Sequence, residues 1–145
     1  MNAILRKSRF TLAVVTVIAG ILAGGVGMAM AAKIEVTLSG DQEVPPVSTS
    51  AKGSGTITVG DDKSVSGSVK TSGITGKAAH IHDGAPGVSG PVIIPLKKTS
   101  ANVWSVPAGA KFTDAQYQSY EAGNLYINVH SAAHKDGEIR GQIKP

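Results

Sequence analysis

The chain of 145 residues contains no cysteine, and only six of its residues are aromatic. Without cysteine there can be no disulfide framework, thiolate metal site, iron–sulfur cluster, cysteine nucleophile or lipidated cysteine anchor. Six aromatic side chains are few for a protein that binds nucleic acid by base stacking. The length favours one domain, and the hydrophobic share of 41% is typical of a folded chain.

The first 32 residues differ from the rest. A basic start without any acidic residue precedes an uncharged, apolar run from Phe10 to Ala32. Together with an A-x-A sequence ending at Ala31, this pattern predicts a signal peptide over 1–32, cleaved near Ala31 or Ala32. The alternative is an uncleaved membrane anchor, because the uncharged run exceeds about 18 residues. We therefore expect 33–145 to be exported, to the periplasm or as a secreted protein, and to meet a membrane only through an uncleaved leader.

The leader carries most of the apparent basicity. The whole chain has 14 basic and 10 acidic residues and a net charge of +4. Three of the basic residues are Arg6, Lys7 and Arg9, which leaves 11 basic against 10 acidic residues in 33–145. A nearly neutral domain gives no charge support for nucleic-acid binding, so we predict no nucleic-acid partner.

Short alternating apolar and polar runs, interrupted by Gly, Pro, Ser and Asp, fill the remainder of the chain. They predict an all-β fold: a Greek-key antiparallel β-barrel or sandwich of about eight strands with one short helix. The helix begins after Thr113, where Gln116 can complete a capping box, and ends at Gly123. The predicted strands are 33–39, 53–59, 64–71, 78–82, 91–96, 102–106, 124–130 and 137–143.

All four histidines fall in two short segments, His80-Ile81-His82 and His130 to His134. Side chains at i and i+2 of a strand share a face, so His80 and His82 point together, and His130 points away from the apolar side chains of its strand. If the apolar faces line the core, these three histidines face outward, and His134 can fold back from the following loop. Imidazoles without sulfur ligands suit Cu(II) or Zn(II). We therefore predict a metal site of His80, His82, His130 and His134, with copper as first choice and zinc as the alternative.

Charged residues beside these histidines could support such a site, because a metal-bound ring needs a hydrogen-bond partner on its other nitrogen. We predict this role for Asp83, Asp136, Glu138 and Arg140. The alternative is structural: a histidine near a strand end can bond to a loop carbonyl, and Asp83 and Asp136 can simply shape turns. The sequence does not decide whether the two histidine segments meet in space.

A set of motifs spanning about residues 36–143 resembles the CHRD domain, a module named after the vertebrate protein chordin and common in exported bacterial proteins. The motifs are LSGDQEVPP at 38–46, GSGT at 53–56, AAHIH at 78–82, GAPG at 84–87, GPV at 90–92, AGNLYINVH at 122–130 and GEIRGQ at 137–142. The resemblance implies that 33–145 is an exported β-domain whose general biochemical role is poorly defined. Its histidine pattern matches all four histidines of this chain.

A weaker resemblance is to copper–zinc superoxide dismutase, which also mounts an H-x-H pair and further histidines on the outside of a Greek-key barrel. His80-Ile81-His82 resembles that pair, and Arg140 could act as a guiding cation. The chain departs from that family because it has no disulfide and too few histidines for separate copper and zinc sites. The pattern supports at most a mononuclear copper site.

Three hypotheses of function follow. The first is a non-catalytic copper-binding module that acts in copper handling outside the cytoplasm. The second is a mononuclear copper redox enzyme of the superoxide dismutase type, which needs an open metal position and substrate access. The third is a structural or adhesive module that binds a protein or glycan without metal, for which the histidines are dispensable.

Overall fold

The computed structural model describes residues 30–145, which form nine strands and one α-helix. All but the last three residues of the predicted signal peptide lie outside this range, so cleavage or anchoring stays a prediction. Within 30–145 no helix has the length and apolar character needed to cross a membrane. The elements are β1 (Ala31–Ser39), a 3-10 turn (Gly40–Gln42), β2 (Lys52–Gly60), β3 (Val65–Ser72), β4 (Gly76–Asp83), β5 (Val92–Pro95), β6 (Lys97–Ser100), β7 (Val103–Ser105), α1 (Asp114–Glu121), β8 (Leu125–Ser131) and β9 (Ile139–Ile143).

The nine strands form one antiparallel sheet in the order β5-β4-β8-β9-β1-β2-β3-β7-β6. Three neighbouring pairs, β4–β8, β9–β1 and β3–β7, are not consecutive in the chain, as is usual in Greek-key barrels. The two edge strands, β5 and β6, are consecutive, with only Leu96 between them. The chain thus passes directly from one edge of the sheet to the other and nearly closes the barrel. This confirms the predicted antiparallel all-β architecture.

The core follows from the alternation seen in the sequence. Along β1, Ile34, Val36 and Leu38 are buried while the residues between them are exposed. On β8, Ile127 and Val129 are completely buried. Burial of such a side chain stabilises the fold by about 1.5–3 kcal/mol relative to exposure. The apolar faces of the strands therefore line the interior of the barrel, and their opposite faces point away from this core.

Helix α1 begins and ends as the sequence predicts. Thr113 Oγ1 accepts a hydrogen bond from the Gln116 backbone N–H, and the Gln116 side chain accepts one from the Thr113 N–H, which is a complete capping box. Gly123 follows the helix with a φ of +74°, the left-handed conformation of a C′ residue. The buried Tyr120 stacks on Phe112 with ring centroids 6.1 Å apart and attaches the helix to the core.

One strand more than the expected eight is present, because the segment after Pro95 continues as β6. All four residues of β6 are exposed, and the strand pairs with β7 alone among the described strands. A strand whose four side chains are all exposed has no buried face, so it has no apolar alternation that could reveal it.

Candidate metal centre

Two adjacent strands bring the histidine segments together. β4 and β8 pair so that His80 lies opposite Asn128 and His130 lies opposite Ala78. His80 and His82 occupy the face of β4 opposite to the buried Ile81. The predicted shared face, turned away from the core, is confirmed for these three histidines.

The three rings form a compact group of nitrogen donors. One ring nitrogen from each of His80, His82 and His130 lies within 4.8 Å of the others. The Nδ1 atom of His80 is 3.1 Å from the Nε2 atom of His130. Ligand nitrogens about 2.0–2.1 Å from one ion are about 2.9 Å apart at right angles and about 4.1 Å apart on opposite sides. The spacing of the donors is therefore close to what one ion requires.

Backbone carbonyls orient two of the rings. His82 Nδ1 lies 2.9 Å from the Gly90 carbonyl oxygen, and His130 Nδ1 lies 2.7 Å from that of Lys135. A carbonyl oxygen can only accept, so both rings carry a proton on Nδ1 and present the lone pair of Nε2 when neutral. The Nε2 atom of His82 is buried and has no hydrogen-bond partner. Histidines that bind a metal share this arrangement, with one ring nitrogen bonded to the protein and the other left without a protein partner.

The surroundings favour neutral imidazoles. Burial lowers the pKa of His80, and the neighbouring His130 and His82 rings lower it further. Burial also lowers the pKa of His82, against the opposing effect of its bond to the Gly90 carbonyl. Since only an unprotonated ring nitrogen can bind a metal, both shifts keep the rings in the ligand form.

Other side chains cover the His82 ring on the outer face of the barrel. The Tyr126 ring stacks on the His82 ring with centroids 4.7 Å apart and planes 6° from parallel. The Arg140 guanidinium in turn lies over the Tyr126 ring, 3.5 Å from its centroid. His82 faces outward from the core as predicted, but it is only 7% exposed because aromatic and loop residues pack on that face.

Arg140 fastens the loop that makes this cover. Its guanidinium donates to the carbonyl oxygens of Val88 at 3.0 Å and Ala85 at 2.9 Å, and to the Gln142 side chain at 3.2 Å. The arginine is 2% exposed. Arg140 contacts Tyr126, which stacks on His82, so its predicted supporting role has a geometric basis. A guiding cation would need an exposed guanidinium, and that of Arg140 is buried.

The other predicted site residues lie outside the group of rings. His134 is in the turn after β8, where its backbone N–H donates to the Ser131 side chain, and its ring is not among the three that converge. Asp83 accepts a hydrogen bond from Ser119 at 3.1 Å. Glu138 accepts one from Thr49 at 2.7 Å.

Asp136 approaches the site through its backbone only. Its side chain is exposed, while its carbonyl oxygen faces the Asn128 Nδ2 atom at 3.5 Å. The partners of the His82 and His130 rings are thus backbone carbonyls instead of the predicted carboxylates.

Two polar residues that sequence reasoning missed lie beside the rings. Asn128 is 3% exposed, and its Oδ1 atom is 3.0 Å from His130 Nε2. Glu43 is 7% exposed, and its Oε1 atom is buried without a hydrogen-bond partner. Burial raises the pKa of Glu43 to about 7, although the nearby charge of Arg140 opposes the shift. Asn128 could have been found, because it shares the strand face of His130 at i−2.

Comparison with known proteins gives one positive result. A family model described as the CHRD domain matches residues 34–143, which is most of the chain. No curated protein and no solved structure matches the chain.

Proposed function

The chain belongs to the CHRD-domain family, and we propose that this member binds a copper ion through His80, His82 and His130. Zinc is the alternative metal. The binding module serves copper handling outside the cytoplasm after export of residues 33–145. The observation that carries the proposal is the convergence of three imidazole nitrogens within 4.8 Å.

The chemistry of the donors supports copper. Imidazole is a good ligand for both copper and zinc, and Cu(II) forms the more stable complexes with a given set of nitrogen donors. Cysteine is absent from the chain, so thiolates do not compete for the ion. The Gly90 and Lys135 carbonyls already hold two rings in the required tautomer, which lowers the entropy lost on binding.

One observation favours redox chemistry as a second candidate. His80 and His130 are only half-buried, and a hollow of about 340 Å³ opens beside them, with Lys77 and Lys135 on its walls. A small anion could approach a bound ion from this side. The copper-loaded protein would then dismutate superoxide faster than the same concentration of free copper, and equal rates would reject this candidate.

Calorimetric titration of the purified protein with Cu(II) and with Zn(II) tests the main proposal. We expect one ion per chain, tighter binding of Cu(II), and an electron paramagnetic resonance spectrum with nitrogen hyperfine coupling. The double variant His80→Ala/His130→Ala should lose more affinity than the about 10- to 100-fold that loss of a supporting partner causes. The matched control is His134→Ala, which removes a histidine outside the group and should bind as the wild type does.

Two results would contradict the proposal. Wild-type protein that binds no Cu(II) at micromolar metal would favour the metal-free structural or adhesive module. Equal affinities of the wild type and the double variant would move the site elsewhere, and loss of binding in His134→Ala would restore that residue as a ligand.

A further inference from the structure

Asn128 is placed to contact a metal ion held by the histidines. It lies on β8 two residues before His130 and directly opposite His80 on β4. Its Oδ1 atom is 3.0 Å from His130 Nε2. The Asn128 side chain thus contacts the ring of His130 and lies across from His80 in the strand pair.

The ring nitrogens and the Asn128 amide oxygen at this site include more hydrogen-bond acceptors than donors. His82 and His130 both use Nδ1 to donate to carbonyls, so each neutral ring presents an Nε2 lone pair, and that of His130 faces the amide oxygen of Asn128. His80 Nδ1 can supply one proton to His130 Nε2, which still leaves His82 Nε2 buried and without a partner. Burial of an unpaired polar group costs about 1–3 kcal/mol. A cation among these acceptors removes that cost.

The orientation of the amide is determined by the atoms on its other side. Asn128 Nδ2 faces the Asp136 carbonyl oxygen at 3.5 Å. Gly137 separates this Nδ2 atom from the Oε1 atom of Glu43, which has no hydrogen-bond partner. A Cβ atom added at Gly137 would lie 2.7 Å from Asn128 Nδ2 and 2.5 Å from Glu43 Oε1. The reverse orientation would put the amide oxygen against the Asp136 carbonyl oxygen, which can only accept. The NH₂ group therefore points to Glu43 and Asp136, and the oxygen points to the histidines.

We propose that Asn128 Oδ1 is the fourth ligand of the metal ion and that Glu43 is a positioning residue that holds the amide in this orientation. The inference rests on the proposed function, because it needs an ion bound by the three histidines. It makes the site a set of three nitrogens and one neutral oxygen. Gly137 is part of the same arrangement, because a larger residue there would displace both the Glu43 carboxyl and the Asn128 amide.

Two pairs of variants, titrated with Cu(II) alone, test the inference. Asn128→Leu removes the oxygen, and Asn128→Asp keeps one at nearly the same place. Glu43→Leu removes the carboxyl oxygen on the Nδ2 side of the amide, and Glu43→Gln keeps an oxygen there while removing the ionisable group. We expect about 10- to 100-fold weaker binding for both leucine variants, and affinities close to the wild type for Glu43→Gln and at least as high for Asn128→Asp. The copper hyperfine coupling should change in Asn128→Leu and stay unchanged in Glu43→Gln.

The outcomes separate this inference from the function on which it rests. A wild type that does not bind Cu(II) overturns both. A wild type that binds, together with Asn128→Leu of equal affinity and identical spectrum, overturns only the fourth ligand. Equal binding by Glu43→Leu and Glu43→Gln overturns the positioning role. Circular dichroism checks the fold of each variant, and if Asn128→Leu does not fold, the spectra of the Glu43 pair decide whether the amide oxygen contacts the ion.

Discussion

Replacement of Arg140 by methionine should open the loop over His82 and destabilise the barrel. The change keeps most of the aliphatic volume but removes the guanidinium that donates to Val88 and Ala85 and stacks on Tyr126. Hydrogen bonds to charged groups contribute about 1.5–3 kcal/mol each, and a desolvated cation–π contact contributes about 2 kcal/mol. The guanidinium also regains hydration in the unfolded state, which offsets part of this sum. We expect the free energy of unfolding to fall by about 3–5 kcal/mol.

Urea denaturation of the purified protein measures this loss, and amide hydrogen exchange at residues 84–90 measures opening of the loop. Arg140→Lys keeps the charge but cannot reach two carbonyls with one planar fork, so we expect an intermediate loss of about 1–2 kcal/mol. Lys144→Met is the matched control, because it removes a positive charge from an exposed side chain and should change stability by less than about 0.5 kcal/mol.

Two results would refute the reasoning about Arg140. A loss below about 1 kcal/mol in Arg140→Met would mean that the hydrogen bonds and the stack contribute little net stability. A large loss without faster exchange at residues 84–90 would mean that the arginine stabilises the barrel as a whole and does not hold the loop.

Three further predictions concern single residues. Glu43 holds its proton more tightly in the folded protein, with a pKa of about 7 against an ordinary 4.5, so the unfolding free energy of the metal-free protein should fall by up to about 3 kcal/mol as pH rises through this window. Glu43→Gln should remove that part of the slope in urea titrations at pH 5 and pH 8, and identical slopes would contradict the assignment. Gly137→Ala should lower the melting temperature far more than Gly87→Ala, because both glycines have positive φ but only position 137 lacks room for a Cβ. Thr113→Ala removes the capping box of α1 and should cost about 1 kcal/mol in urea denaturation, whereas an unchanged midpoint would show that the cap contributes nothing.

Local patterns predicted most of the fold because one face of nearly every strand is buried. The alternation of Ile34, Val36 and Leu38 and the capping box at Thr113 are short-range signals that each element carries in its own sequence. β6 carries no such signal, since its four side chains are exposed and polar, and it is held by backbone bonds to β7 and by a hydrogen bond from Lys98 Nζ to the Gly76 carbonyl.

The site was predicted in part for a similar reason. The i, i+2 spacing of His80 and His82 identifies their common face, but only the pairing of β4 with β8 brings His130 beside them. The backbone carbonyls of Gly90 and Lys135 cannot be identified from residue types, because every residue has a carbonyl. Glu43 approaches Asn128 from a loop 85 positions earlier in the chain, a contact that no local pattern contains.

The junction between β5 and β6 has a consequence for how copies of the protein behave at high concentration. A long unpaired strand is a template on which a second chain can add its own strand, and such growth leads to aggregation. In the part of the chain that the structure describes, the two edges of the sheet are four-residue strands that meet at Leu96, and one of them begins with Lys97 and Lys98. Both edges are short, and the apolar edge β5 ends at Pro95, which has no N–H to offer another strand. The same turn of chain that nearly closes the barrel thus protects the folded protein against templated assembly.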